Sequence, residues 1–374
     1  MRKFISRHPS IIIFISVLLM FTALNYSASF LLAKPASYTP DVLEKIHGKG
    51  WVEDYEIFLS EQGIGQKYYP FVEYIERARK GKYINVSDRG TRCHYSDREA
   101  CVANGGNQEI WIFGGSTTFG YGVKDNETIP AFLSLKLPGI KIVNFGAASY
   151  YSTIERIRFE NLLTELPPPL ATVFIDGLND FYYFDVPDKT MVSDAYSRIL
   201  NKESEPNSFA NSLRKYLRKL AIYRLVEEKF GDSSTVTAVT ASREQILKAI
   251  SRLNINHSIT EAICDKLGIT IINVIQPVPL YGVGHKTSKV PQELLNYGDH
   301  VNSGAAYKIM FTPNSRSPYT RNRTLNLANL ASEEGMYVDT VHYSPLFNER
   351  IASEIHERLL EELSRKHFKH QSSS

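Results

Sequence analysis

Three short apolar runs, QEIWIF from 108, IKIVNF from 140 and ATVFID from 171, each end at or within two residues of a glycine: Gly114, Gly146 and Gly177. Between them lie stretches of helical character, ETIPAFLSLKL and then STIERIRFENLLTEL, the second with apolar residues at 154, 157, 162 and 163 and a stop at Pro167-Pro168-Pro169. Short apolar strands alternating with helices of about ten to fifteen residues predict βαβ units and a parallel sheet. GITIINVIQPVPL supplies a fourth strand, and LFNERIASEIHERLLEELSRK a closing amphipathic helix. The expected fold class is α/β, a three-layer α/β/α domain over 107–366 with a central parallel sheet, flavodoxin-like in layout. The rhythm breaks over about 186–265, where polar loops and helix-like text at 208–230 and 241–268 suggest an inserted helical lid. More helical text is read at 322–335, and the tail 367–374 is expected to be frayed. No internal repeat is visible.

The N-terminus adds a different kind of segment. Arg2, Lys3 and Arg7 precede a run from Ile11 to Ala33 without a charged residue. That matches the ~20 residues needed to cross a bilayer and exceeds the ~7–15 residue apolar core of a signal peptide. The expectation is a transmembrane anchor at 11–33 with residues 1–10 cytoplasmic and the remainder exported, 34–106 forming a stalk and an extension packed on the main domain. A cleaved signal peptide is the alternative. The net charge of +3 over 374 residues gives no case for nucleic acid as a partner. Cys93 and Cys101, close together in a loop-like stretch, suit a local disulfide in an exported chain. Cys264 has the surroundings of a buried helix residue. No CxxC or HExxH spacing points to a metal, and no cofactor is expected.

In an open parallel sheet, reactive groups gather at the carboxyl ends of the strands. The residues falling there are Ser116 in WIFGGSTTFGYGV, Gly146 in VNFGAAS, and Asn179 with Asp180 in IDGLND; a late loop before the last helix adds Asp339 and His342 in DTVH. A hydroxyl, a backbone amide, a side-chain amide, an imidazole and a carboxylate are the parts that acyl transfer requires. A phosphate cradle fits poorly, since a Walker loop needs GK[ST] and no lysine follows Ser116 until Lys124. Taken singly, Ser116 could sit in an ordinary Gly/Ser turn, Gly146 could simply end a strand, Asn179 could cap a helix, and Asp339 with His342 could be a surface pair.

Together these four blocks, in this order, resemble the SGNH (GDSL-like) hydrolase superfamily, and the resemblance runs from about 108 to 365. It implies the SGNH-hydrolase fold, with Ser116 as nucleophile, His342 as base and Asp339 orienting it. The oxyanion hole it implies is made by the amides of Ser116 and Gly146 and the side chain of Asn179. The first block departs from the family's GDS signature by carrying Gly115 where Asp stands, which points to a membrane-anchored bacterial branch with a GGST block. The implied function is a serine-dependent carboxylic-ester hydrolase without metal, acting outside the cytoplasm on an acyl ester, an acylated glycan among the candidates. Transfer of the acyl group to a cell-surface polysaccharide would use the same residues. A non-catalytic glycan-binding or scaffold subunit and a lipid-directed lipase are the readings from other classes. Tyr150, Tyr151, Tyr182 and Tyr183 fall near the strand ends and suit either a sugar cleft or plain packing. His285, His300 and His356 lie in no motif and are read as solvated or structural, and Asp180 as a brace for its loop.

Overall fold

The computed structural model describes residues 9–32, 55–94, 101–184, 220–222, 240–282, 300–311, 323–330 and 335–371. The chain divides into two compact units, 1–41 with 204–237 and 42–203 with 238–374. The first contains helix α1 (Pro9–Leu32), 24 residues without a charge. Its large apolar side chains are exposed, Phe14 to 69%. Among the described residues no helix is long and apolar enough to cross a membrane. The transmembrane anchor expected over 11–33 is not found among them.

The second unit begins with α2 (Tyr55–Gln62), the hairpin β1 (Gln66–Tyr69) and β2 (Glu73–Glu76), and the short pair β3 (Arg79–Lys80) and β4 (Asn85–Val86). The main body follows: β5 (Glu109–Gly114), α3 (Ser116–Phe119), α4 (Ile129–Lys136), β6 (Lys141–Asn144), α5 (Ser152–Glu165), β7 (Ala171–Asp176) and α6 (Asn179–Tyr182). It is completed by α7 (Arg243–Leu267), β8 (Thr270–Ile275), α8 (Val301–Phe311), β9 (Thr324–Asn326) and α9 (Pro345–Gln371). Five strands pair in parallel in the order β6-β5-β7-β8-β9, which numbered by the chain is 2-1-3-4-5, the flavodoxin-like order.

Alternation along the strands explains the layers, because successive side chains point to opposite faces. Ile110, Ile112, Ile142, Val173, Ile272 and Val274 join Leu133 of α4 and Phe347, Ile351 and Ile355 of α9 in one core. Trp111, Phe113, Val143, Phe174 and Ile271 form the other, with Phe159 of α5 and Cys264 of α7. A sheet apolar on both faces has to be covered on both, and the three-layer α/β/α arrangement does that. Strand order reverses between β5 and β7, so the crevice for a ligand opens at their carboxyl ends.

Two expectations need correction. The lid expected over about 186–265 does not extend to its C-terminal end: 243–267 is the regular helix α7, whose Ala249, Ile250 and Leu253 pack under α6 and α8. It starts in a capping box, with Ser242 and Gln245 each satisfying the other's amide, and ends at Gly268 with φ +70, so it is a built layer of the domain. Residues 186–219 and 223–239, including most of the helix-like text at 208–230, lie outside the described residues. The second correction concerns 322–335, where Thr324, Leu325 and Asn326 pair with β8 as an edge strand. Pairing there satisfies the outer row of amides and carbonyls on β8, and the two-residue spacing of Leu325 and Leu327 suits a strand.

Before the main sheet, Phe58, Ile84 and Val86 pack on Phe119, and the Arg92 amide donates to the Asn144 carbonyl at the end of β6 at 3.1 Å. Cys93 and Cys101 are joined by a disulfide, and Cys264 is buried outside it.

Candidate active site

The site is assembled where β5 and β7 end. β5 is buried along its whole length and leaves the sheet at Gly114, where a Cβ would lie 2.0 Å from Thr118 Oγ1. Only a bare backbone lets the chain fold straight into α3 at that point. Ser116 is the first residue of that single turn, which Gly120 ends with φ +92. Thr117 Oγ1 donates to Gln276 Oε1 at 2.7 Å, tying the turn to the end of β8.

His342 arrives from the loop between β9 and α9. The Val338 amide donates to the His342 carbonyl at 2.8 Å and the Ser344 amide to Met336 at 2.9 Å, so the loop is cinched just before α9 begins. Across it, His342 Nε2 stands 2.8 Å from Ser116 Oγ, and His342 Nδ1 2.7 Å from Asp339 Oδ2. The other carboxylate oxygen accepts the amides of Val341 and His342 at 2.9 and 2.8 Å. That network assigns the Nδ1 proton to the Asp339 side and leaves the Nε2 lone pair for the serine hydroxyl. Burial raises the Asp339 pKa, but the His342 charge, its hydrogen bond and the two amides outweigh that and bring it down to about 2. The carboxylate is thus ionised wherever the imidazole has a proton to hold.

Asn179 opens α6 at the end of β7 and is 7% exposed. Its Nδ2 donates to the Tyr150 carbonyl at 2.7 Å, which fixes the amide plane and leaves the second N–H of that group. The same nitrogen lies over Gly115, where a Cβ would come within 2.6 Å of it. In this chain a side chain at 115 would press on the Asn179 amide, which would have to give way. Asp180 braces the turn, accepting the Ser152 hydroxyl at 2.5 Å and the Gly177 amide at 3.3 Å, while Arg252 donates to its carbonyl at 2.8 Å. Burial, then the neighbouring Asp176, push its carboxyl up to about 6.

Gly146 is the correction at this site. Its amide donates to Asn144 Oδ1 at 2.9 Å, and a Cβ on it would fall 2.4 Å from the Phe119 amide nitrogen. It serves close packing under α3, and its N–H is committed elsewhere. In the same loop the Ala147 amide bonds Gly114 and the Ala148 amide bonds Glu76. Ser149 takes the left-handed conformation, φ 65, and its amide has no partner among the described residues. No side-chain signal marks it in the sequence, since what matters is a backbone N–H.

Sequence reasoning also missed two neighbours. The Tyr121 ring stacks on the His342 ring with centroids 5.4 Å apart and planes 25° apart. His300 lies against Tyr182, centroids 5.2 Å apart, and burial, then the His342 charge, bring its pKa down to about 4. Of the four tyrosines flagged from the sequence, Tyr150, Tyr151 and Tyr183 are buried in one aromatic cluster with Tyr74, so packing is their role, and Tyr182 lies at its edge. His356 is half-buried on α9, and His285 lies outside the described residues. Among the described residues no group of His, Cys, Asp and Glu is placed to hold a metal ion.

No protein-family model matches this sequence, and no curated protein matches it. Solved structures similar to the chain include a member of the lipolytic protein G-D-S-L family from Veillonella parvula, at 10% identity over 69% of this chain and 98% of that one, with a TM-score of 0.32. The psychrotrophic esterase EstA from Pseudoalteromonas sp. is similar at 11% identity over 69% and 100%, TM-score 0.32. LAE5, an alpha/beta hydrolase enzyme from the metagenome of Lake Arreo, is similar at 12% identity over 70% and 96%, TM-score 0.31. Likenesses this low carry no weight for function, which rests on the hydrogen-bonded row from Ser116 to Asp339.

Proposed function

We propose that this chain is a serine-dependent carboxylic-ester hydrolase of the SGNH type. The observation that carries the proposal is the continuous row Ser116 Oγ, His342 Nε2, His342 Nδ1, Asp339 Oδ2 at 2.8 and 2.7 Å, standing beside the Asn179 amide at the sheet's switch point. In this reading Ser116 Oγ bonds the ester carbonyl carbon as its proton passes to His342 Nε2. The carbonyl oxygen takes the negative charge, facing the amides of Ser116 and Ser149 and the free N–H of Asn179. His342 returns the proton to the leaving alkoxide, and water then attacks the acyl-enzyme with His342 as base again. Transfer to a glycan hydroxyl would differ only in that last acceptor. A scaffold role is disfavoured because every member of the row is in place.

The setting belongs to the proposal too. A 24-residue uncharged helix behind a basic N-terminus suits an anchor that places the domain outside the cytoplasm, and the Cys93–Cys101 disulfide suits an oxidising compartment.

The test is covalent labelling of the full chain with a fluorophosphonate, followed by peptide mapping. Stoichiometric label on Ser116 is expected, with none on the Ser116→Ala chain; an unlabelled, folded wild type would sink the proposal. A subtler expectation follows from the contact over residue 115. Gly115→Ala should displace the Asn179 amide and lower kcat on para-nitrophenyl acetate by about 10²–10³, with Tm near that of the wild type. A kcat within twofold of wild type would mean that Asn179 does not serve the oxyanion.

A further inference from the structure

We infer that the hairpin β1–β2 sets the oxyanion hole, with Glu76 as a positioning residue that holds the loop 146–150. This rests on the ester reading above and says what fixes the donors which that reading needs. Of the five amides from Gly146 to Tyr150, four are bonded: to the Asn144 side chain, the Gly114 carbonyl, the Glu76 carboxylate and the Ala147 carbonyl. The fifth is the unpartnered amide of Ser149.

Two bonds from the hairpin flank Ser149. On one side, Glu76 Oε1 accepts the Ala148 amide at 2.9 Å. On the other, the Tyr150 hydroxyl donates to the Tyr74 carbonyl, and the two rings lie 5.4 Å apart. The Tyr150 carbonyl in turn accepts Asn179 Nδ2 at 2.7 Å. One element outside the main sheet thus bears on both the left-handed Ser149 and the Asn179 amide. A serine keeps φ at 65 only where its surroundings fix it, and here both neighbouring residues are tied down. Were the carboxylate absent, the Ala148 amide would have to turn toward another acceptor, carrying the Ser149 N–H with it.

The hairpin depends on this contact as much as the loop does. β1 and β2 pair with each other and with no other described strand, and a lone hairpin is marginally stable. Val72 and Tyr74 supply the missing burial by packing on Ala147, Tyr150 and Tyr151. Glu76 itself is fully buried, and Arg79 Nη2 donates to its Oε2 at 3.1 Å. A carboxylate one residue from an oxyanion donor would oppose the developing charge, and the paired guanidinium offsets it. That guanidinium lies 5.2 Å over the ring of Phe119, the last residue of the turn that Ser116 opens.

The experiment compares the full wild-type chain with Glu76→Ala and Glu76→Gln. Glutamine keeps an oxygen for the Ala148 amide and gives up the ion pair with Arg79, so the two roles of Glu76 separate. Tm is expected to fall in both variants. On para-nitrophenyl acetate, kcat is expressed per site titrated to completion with a fluorophosphonate, which leaves out any unfolded fraction. It is expected to fall about 10²-fold in Glu76→Ala with KM little changed, and to return to within about tenfold of wild type in Glu76→Gln. Equal losses in the two variants, a loss carried by KM, or one below about threefold in Glu76→Ala overturns the inference. Hydrogen exchange over 146–151, read by mass spectrometry, separates the clamp from the ester chemistry. Exchange there about tenfold faster in Glu76→Ala, with β8 unchanged, supports the clamp even if no ester is turned over, in which case the serine reading alone fails. Unchanged exchange over 146–151 overturns the clamp.

Discussion

Ser116→Ala and His342→Ala are each expected to lower kcat for ester turnover by about 10⁴–10⁶, and the double variant by no more than the worse single one. The reason is geometric. Ser116 Oγ and His342 Nε2 are 2.8 Å apart, so the proton transfer and the attack are one event, and removing either partner removes both. What survives comes from the oxyanion donors, which neither substitution touches. Asp339→Asn should cost less than the loss of His342, since the Val341 and His342 amides still hold the loop while the imidazole loses its acceptor at 2.7 Å. Steady-state rates of the three singles and one double form the check. Additive losses would show that Ser116 and His342 do not act as a unit.

The second large effect concerns stability. Arg92→Met is expected to lower the unfolding free energy by about 3–5 kcal/mol, roughly a 10 °C fall in Tm. Arg92 is 1% exposed, and its Nε donates to Asp125 Oδ1 at 2.9 Å. Nη1 donates to the carbonyls of Phe119 and Gly120 at 3.1 and 2.6 Å, Nη2 to that of Val123 at 2.8 Å, and the guanidinium lies 4.8 Å over the Phe119 ring. Burial lowers the Arg92 pKa and raises that of Asp125 despite their contact, so the pair is not itself a large source of stability. Removing one partner is another matter, because it leaves three carbonyls without that donor and the part-buried Asp125 carboxylate without its cation. Asp125→Asn in the Arg92→Met background should recover part of the loss. Denaturant unfolding that showed less than about 1 kcal/mol for Arg92→Met would mean that water or a neighbour replaces the guanidinium.

Much of the architecture was legible because it is written in side chains. The alternation of Ile110 and Ile112 with Trp111 and Phe113 forces a sheet covered on both faces, and Ser116, Asn179, Asp339 and His342 are visible by type and position. What escaped depends on the backbone or on distance. Whether Gly146 or Ser149 has a spare amide is decided by the Asn144 side chain and by one left-handed residue. Tyr121 reaches the site from a loop whose placement the chain's order does not reveal. The C-terminal end of the expected lid differs for a related reason: Arg243–Leu267 is rich in polar residues because only one of its faces packs, through Ala249, Ile250 and Leu253.

The grip of Arg92 on the carbonyls of Phe119, Gly120 and Val123 also bears on where this chain can be cut. Every recognisable motif lies after residue 107, so an excised domain starting there would pass inspection as complete. It would nevertheless lack the guanidinium that closes the far end of the nucleophile's turn, as well as Phe58, Ile84 and Val86, which cover Phe119 beneath it. The smallest self-sufficient piece of this domain therefore begins before Phe58, and the segment ahead of the sheet braces the Ser116 turn rather than serving as a tether.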